Sequence, residues 1–85
     1  MRTSREIEFL PVRRRRLSDE LVERISGSIA TGQLRQGDRL PPIAEMARSF
    51  RVAPATVREA LVRLEATRVV EIRQGAGVFI RATAA

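Results

Sequence analysis

The residues of this 85-residue sequence best suited to chemistry are its arginines. Sixteen basic side chains face ten acidic ones, giving a net charge of +6 and a pI near 11.7, and every basic one is arginine. A guanidinium is a planar fork of donors that can pair two-pronged with phosphate oxygens or a guanine edge. A GC-rich coding bias would give the same preference for arginine over lysine. The net charge by itself favours polyanionic partners such as nucleic acid. Catalytic chemistry has little to work with. Cysteine and histidine are absent, which removes disulfides, thiolate and imidazole metal sites, and imidazole-based triads. The glutamates fall mostly on polar helix faces, where they read as solvated charge. We therefore expect no enzyme, no cofactor and no metal.

Three of the cation-bearing or hydroxyl positions fall within one stretch, Val52 to Glu65. Val57, Leu61 and Leu64 recur at three- and four-residue intervals with Ala60 beside them, so one stripe can face a core while Thr56, Arg58 and Arg63 occupy the other face. Pro54 suits a first helical position, where a missing N–H is harmless. This helix is expected to run to about Thr67. Upstream, Ile43, Met46, Ala47 and Phe50 form a second stripe between Pro42 and Phe50, and only Arg51-Val52-Ala53 connects the two. Two short helices joined by a tight turn make a helix-turn-helix candidate.

The elements that must position this pair read as follows. Residues 1–16 show no periodicity and end in Arg13-Arg14-Arg15-Arg16; they read as a basic arm, either a solvated tail or a segment that orders on phosphates. An amphipathic helix begins at Leu17, with Ser18 as N-cap and Asp19 and Glu20 complementing the positive helix end. Leu21, Ile25 and Ile29 face inward. Thr31-Gly32 ends the helix, Leu34 folds back onto it, and Arg35-Gln36-Gly37-Asp38 forms a turn. Arg39-Leu40 is at most a strand fragment on a sheet edge, stopped by Pro41. Past Thr67 the period changes: Val69–Arg73 and Val78–Arg81 are β-rich runs separated by Gln74-Gly75-Ala76-Gly77, a hairpin pattern. The fold class is mainly α with a small β-hairpin: a winged helix-turn-helix of three helices plus a wing, formed by residues 17–81, with residues 82–85 beginning a linker.

The segments Leu17-Ser18-Asp19-Glu20-Leu21, Gly37-Asp38-Arg39-Leu40-Pro41, Thr56-Val57-Arg58-Glu59-Ala60-Leu61 with Arg63-Leu64-Glu65, and Arg73-Gln74-Gly75-Ala76-Gly77-Val78-Phe79 resemble, in order and spacing, the DNA-binding domain of GntR-type bacterial transcription regulators. The arginine-rich lead into Leu17-Ser18 looks most like the FadR-like branch, whose second domain is an all-helical ligand-binding bundle. The resemblance implies the operator-reading domain of a metabolite-responsive regulator, a repressor, acting on double-stranded DNA. It further implies a palindromic operator, a homodimer in the full-length protein and a small-molecule effector on a C-terminal domain. By the same resemblance, Thr56 contacts the DNA backbone with Ala55 beside it, and Arg58 contacts a guanine edge or a phosphate. Arg39 touches phosphate, Arg48 and Arg63 add basic contacts, and Gln74, Gly75 and Gly77 carry the wing to the minor groove.

The sequence departs from the family pattern where bases would be read. Ala53-Pro54 stands in place of a serine–arginine pair, Ile43-Ala44 in place of a glutamate–arginine pair, and Ala76 in place of a basic wing residue. Each guanine-reading arginine contributes about 1–3 kcal/mol of discrimination, so an operator unlike the commonest family sites is expected. Arg51 and Arg68 stand where glycine is common. A left-handed backbone there would carry strain of about 1 kcal/mol or more. Two other readings use the same fold: a protein- or RNA-interaction winged helix, and the amino-terminal part of an aminotransferase-like fusion regulator. No apolar run reaches the roughly 18 residues of a membrane helix, and the first residues lack a signal-peptide core, so a cytoplasmic protein without membrane association is expected. Because its apolar stripes are used in its own core, the isolated domain should be a monomer or weak dimer.

Overall fold

The computed structural model describes residues 2–81, with side chains from residue 13 onward. Its elements follow in the order α1 (Arg2–Ala30), α2 (Ile43–Phe50), α3 (Pro54–Ala66), β1 (Val70–Arg73) and β2 (Gly77–Ile80). The second and third helices and the hairpin match the expectation from periodicity. The first helix does not. It is continuous from Arg2 through the arginine run, so Ser18 lies in mid-helix and is no N-cap. Arginine, glutamate and leucine are good helix formers whether or not they form an apolar stripe, which is why absent periodicity was a poor guide there. Residues 82–85, read as a linker, lie outside the described residues.

Leu21, Ile25 and Ile29 of α1, Val57, Leu61 and Leu64 of α3, and Val70, Val78 and Ile80 of the hairpin form one buried core with Leu40 and Met46. α3 is its centre, packing on α1, α2 and β1. Each helix end is closed by backbone chemistry. After α1, Gly32 takes φ 85° and the Leu34 N–H donates to the Ser28 carbonyl at 3.0 Å, which brings Leu34 back against the core. Asp38 closes the next turn, its carboxylate accepting from the Arg35 N–H at 2.9 Å.

The Arg39-Leu40 fragment does join the sheet edge. Arg39 bridges Phe79, the Leu40 N–H donates to the Val78 carbonyl at 2.8 Å, and the Ile80 N–H to the Asp38 carbonyl at 2.8 Å. β1 and β2 pair antiparallel, Val70 with Ile80 through Arg73 with Gly77. Gly77 therefore belongs to the strand, and the loop is Gln74-Gly75-Ala76, one residue shorter than the pattern suggested. The hairpin is thus fastened on one side to the segment before α2 and on the other to α3, which fixes the wing relative to the helix pair.

Candidate nucleic-acid interface

α3 begins without a side-chain cap. Ala53 is extended (φ −69°, ψ 148°), Pro54 occupies the first turn, and no side chain bonds the opening amides. The Thr56 and Val57 N–H groups both turn to the Ala53 carbonyl, at 3.0 and 3.4 Å. Proline has no N–H, so Ala55 supplies the amide of the first turn that has no partner among the described residues. A helix start with an open amide and a partial positive charge attracts an anion. Beside it, Arg58 is exposed and makes no ion pair or side-chain hydrogen bond among the described residues. The alternative that it pairs with a glutamate on its own helix is not realised.

Two of the expected contact residues sit differently from the sequence reading. Thr56, placed there on the outer face with Arg58, is only 3% exposed and packs with Val57 and Ala60. It lies one turn before Ala60, on the edge of the inner stripe and not on the outer face. Arg63 is also not a free outer-face cation. Its Nη1 pairs with Asp19 and donates to the Ser18 hydroxyl at 3.0 Å. Ser18, fully buried, has two acceptors for its single hydroxyl proton, Glu59 Oε2 at 3.0 Å and the Arg15 carbonyl at 2.9 Å. This network ties α1 to α3 over sequence separations of 41 and 45 residues.

Arg39, Gln74, Gly75 and Gly77 are brought together in one cleft between the wing and the start of α2, with Pro42 and Ile43 on the far wall. Gly77 has φ 121°, and a Cβ there would lie 2.7 Å from Arg39 Nε. Glycine is favoured at this point by its positive φ, and a side chain there would push the Arg39 guanidinium aside. Arg48 is exposed in the last turn of α2 and does not line that cleft. Arg73, which the sequence reading did not single out, lines it: its guanidinium stacks 4.5 Å from the Phe79 ring centre and pairs with Glu71 at 3.3 Å. The signal was its position at the strand end next to the loop. Arg51 and Arg68 are both left-handed, at φ 58° and 63°, as their places in the pattern suggested.

Among the described residues no group of histidine, cysteine or carboxylate side chains is arranged to hold a metal ion, and no helix is long and apolar enough to cross a membrane. What remains is a uniform display of guanidinium groups and open backbone on α3, the wing and the segment before α2. Comparison with known proteins agrees with that arrangement. The chain is 39% identical over 71 residues to the HTH-type transcriptional regulator Mce2R of Mycobacterium tuberculosis, covering 84% of this chain and 30% of that protein. It is 36% identical over 62 residues to the mannosyl-D-glycerate transport/metabolism system repressor MngR of Escherichia coli, covering 73% of this chain and 26% of that one. Among solved structures, the AraR DNA-binding domain in complex with operator ORR3 superposes with a TM-score of 0.73 at 26% identity, covering 75% of this chain and 77% of that one. The chain spans about a quarter to a third of the length of such relatives. Residues 17–80 match the model of the bacterial regulatory proteins of the gntR family, and the chain belongs to that family.

Proposed function

We propose that this domain reads operator DNA for a metabolite-responsive transcription regulator that acts as a repressor. The observation that carries the reading is Arg58: an exposed guanidinium without a partner among the described residues, on the helix whose opening amide is also open. The likeness to a DNA-binding domain solved on its operator supports the same use of α3 and the wing. In this reading α3 lies in a major groove, where Arg58 meets a guanine edge or a phosphate, and Ala55 offers its N–H to the backbone. Arg39 and the Gln74–Gly77 loop approach the adjacent minor groove, with Gly75 allowing close contact. Arg48 adds a phosphate contact. The full-length regulator is a homodimer on a palindromic operator, carries a small-molecule effector domain of the FadR-like, all-helical kind after residue 81, and works in the cytoplasm.

Missing arginines at the starts of α2 and α3 leave fewer base-reading groups, while the attraction to phosphates remains. Base preference should therefore differ from the commonest family sites. Titration of the chain with duplex DNA at several salt concentrations tests the function: each phosphate neutralised contributes about −0.9 to the slope of log K against log salt. A flat slope, or no binding, refutes DNA reading and favours a protein-interaction winged helix. Selecting sites from a random duplex library tests the base preference, and recovery of the ordinary family consensus would sink that part.

A further inference from the structure

We infer that the arginine turn of α1, Arg13 to Arg16, is a second phosphate-binding surface that grips duplex DNA outside the segment faced by α3 and the wing. It rests on the proposed DNA-reading function and extends it to residues that precede the family match, which begins at residue 17. A basic run at a chain end is ordinarily a solvated tail, and ordering it on DNA costs conformational entropy. Here the run lies inside a 29-residue helix, so its backbone is already ordered.

Consecutive helical residues point about 100° apart, so the side chains of four in a row are spread over most of the circumference. Whichever side a duplex approaches from, at least one of them faces it. All four are exposed. Arg14, Arg15 and Arg16 have no ion pair or side-chain hydrogen bond among the described residues. Among the described carboxylates, Asp19 is engaged by Arg63 and Glu59 by Ser18. Glu20, one turn beyond Arg16, makes no ion pair with Arg14, Arg15 or Arg16. The charge of Arg14, Arg15 and Arg16 is therefore not neutralised by the described residues.

Ser18 sets where this charge is held. Its hydroxyl bonds Glu59 and Arg63, and Glu59 directly follows Arg58. The arginines precede Ser18 by two to five residues, about 3–8 Å along the helix axis at 1.5 Å per residue. Leu17, adjoining the run, shares a surface cleft with Arg51 and Val52 in the turn that leads into α3. The other end of α1 packs elsewhere, near Leu34, Leu40 and Met46. The basic end is thus the one that adjoins Glu59 and the turn leading into α3, and on this inference it lies on the flank where DNA continues past the groove that α3 occupies.

The test uses the whole chain and two duplexes built on a site selected from a random library. One is the selected core; the other extends it by about ten base pairs, one helical turn, on each side. The variant replaces Arg13, Arg14, Arg15 and Arg16 together with glutamine, a comparable helix former, and its circular dichroism and melting temperature check the fold. At about 0.1 M salt the wild-type chain should bind the extended duplex at least tenfold more tightly than the core, with a salt slope steeper than the variant's by about two to three units. The variant should gain nothing from the extension. If the variant melts early, Arg15→Gln with Arg16→Gln is measured instead and should remove about half of the slope difference. Equal slopes and equal affinities of wild type and variant on the extended duplex overturn this inference and leave operator reading by α3 standing. Failure of the wild-type chain to bind any duplex overturns both.

Discussion

Arg58 and Arg63 are the same residue type, five positions apart on one helix, and the fold gives them opposite roles. At 3.6 residues per turn, five positions place them about 140° apart around α3. Arg58 is exposed and has no ion pair or side-chain hydrogen bond among the described residues, so its guanidinium is left for a ligand. Arg63 faces α1, where Asp19 and the buried Ser18 hydroxyl hold it. Charge by itself did not separate them. What separates them is whether a long-range neighbour supplies acceptors, and that neighbour lies 45 residues away in sequence.

The sharpest way to break this contrast is Arg58→Ala. DNA affinity should fall by about five- to 150-fold, the equivalent of 1–3 kcal/mol for a base-reading arginine, while the melting temperature stays at the wild-type value because the side chain has no partner among the described residues. A DNA titration beside a thermal melt reads both. Unchanged affinity would remove Arg58 from the interface.

Ser18→Ala should do the reverse. The hydroxyl is fully buried between Glu59 and Arg63, and its loss leaves two charged groups each short of a partner. The destabilisation expected is about 1–2 kcal/mol, after a gain of a few tenths from alanine's better helix propensity. Urea unfolding measures it. Arg63→Ala should cost less, about 1 kcal/mol, because the ion pair is about half exposed at both ends (43% and 51%) and solvent screens it. Its DNA salt slope should match the wild type. A slope reduced to that of Arg58→Ala would mean that Arg63 also meets phosphate, and the contrast would collapse.

Most of the fold was legible because most of it is local. Two apolar stripes at helical spacing, prolines at Pro42 and Pro54, glycines at Gly32 and Gly75, and a change to strand-like composition after Thr67 each leave a signal within a few residues. The winged helix-turn-helix reading rests on these, and the family match and the AraR-domain superposition agree with it. The start of α1 was not legible, since residues 1–16, ending in Arg13 to Arg16, form no stripe although the helix runs through them from Arg2. Thr56 was misplaced for a different reason. It stands one turn from Ala60, which the same pattern already set beside the core, so the inner stripe was simply drawn too narrow. The Ser18–Glu59–Arg63 network has no local signature; only the packing of α1 across α3 creates it.

The smallest effects concern the two left-handed arginines, and they extend the contrast from α3 to its two ends. Arg68 closes α3: its N–H donates to the Glu65 carbonyl at 2.9 Å, and the next N–H, of Val69, to the Leu64 carbonyl at 2.8 Å. Arg51 closes α2 in the same way, with the Val52 N–H donating to the Ala47 carbonyl at 3.0 Å. A left-handed L-residue costs about 1–2 kcal/mol, and glycine would relieve it while giving the unfolded chain about 0.4–1 kcal/mol more entropy to lose. Arg51→Gly and Arg68→Gly should therefore each stabilise by at most about 1 kcal/mol, a rise of a few degrees in melting temperature for a domain of this size. Their effects on DNA should differ. Arg51 sits in the turn that delivers α3, where a phosphate contact would offset its strain, so Arg51→Gly should lower affinity severalfold. Arg68 follows the far end of α3, and Arg68→Gly should leave affinity unchanged. Equal affinities for both glycine variants would show that the strain at Arg51 is not tied to DNA at all.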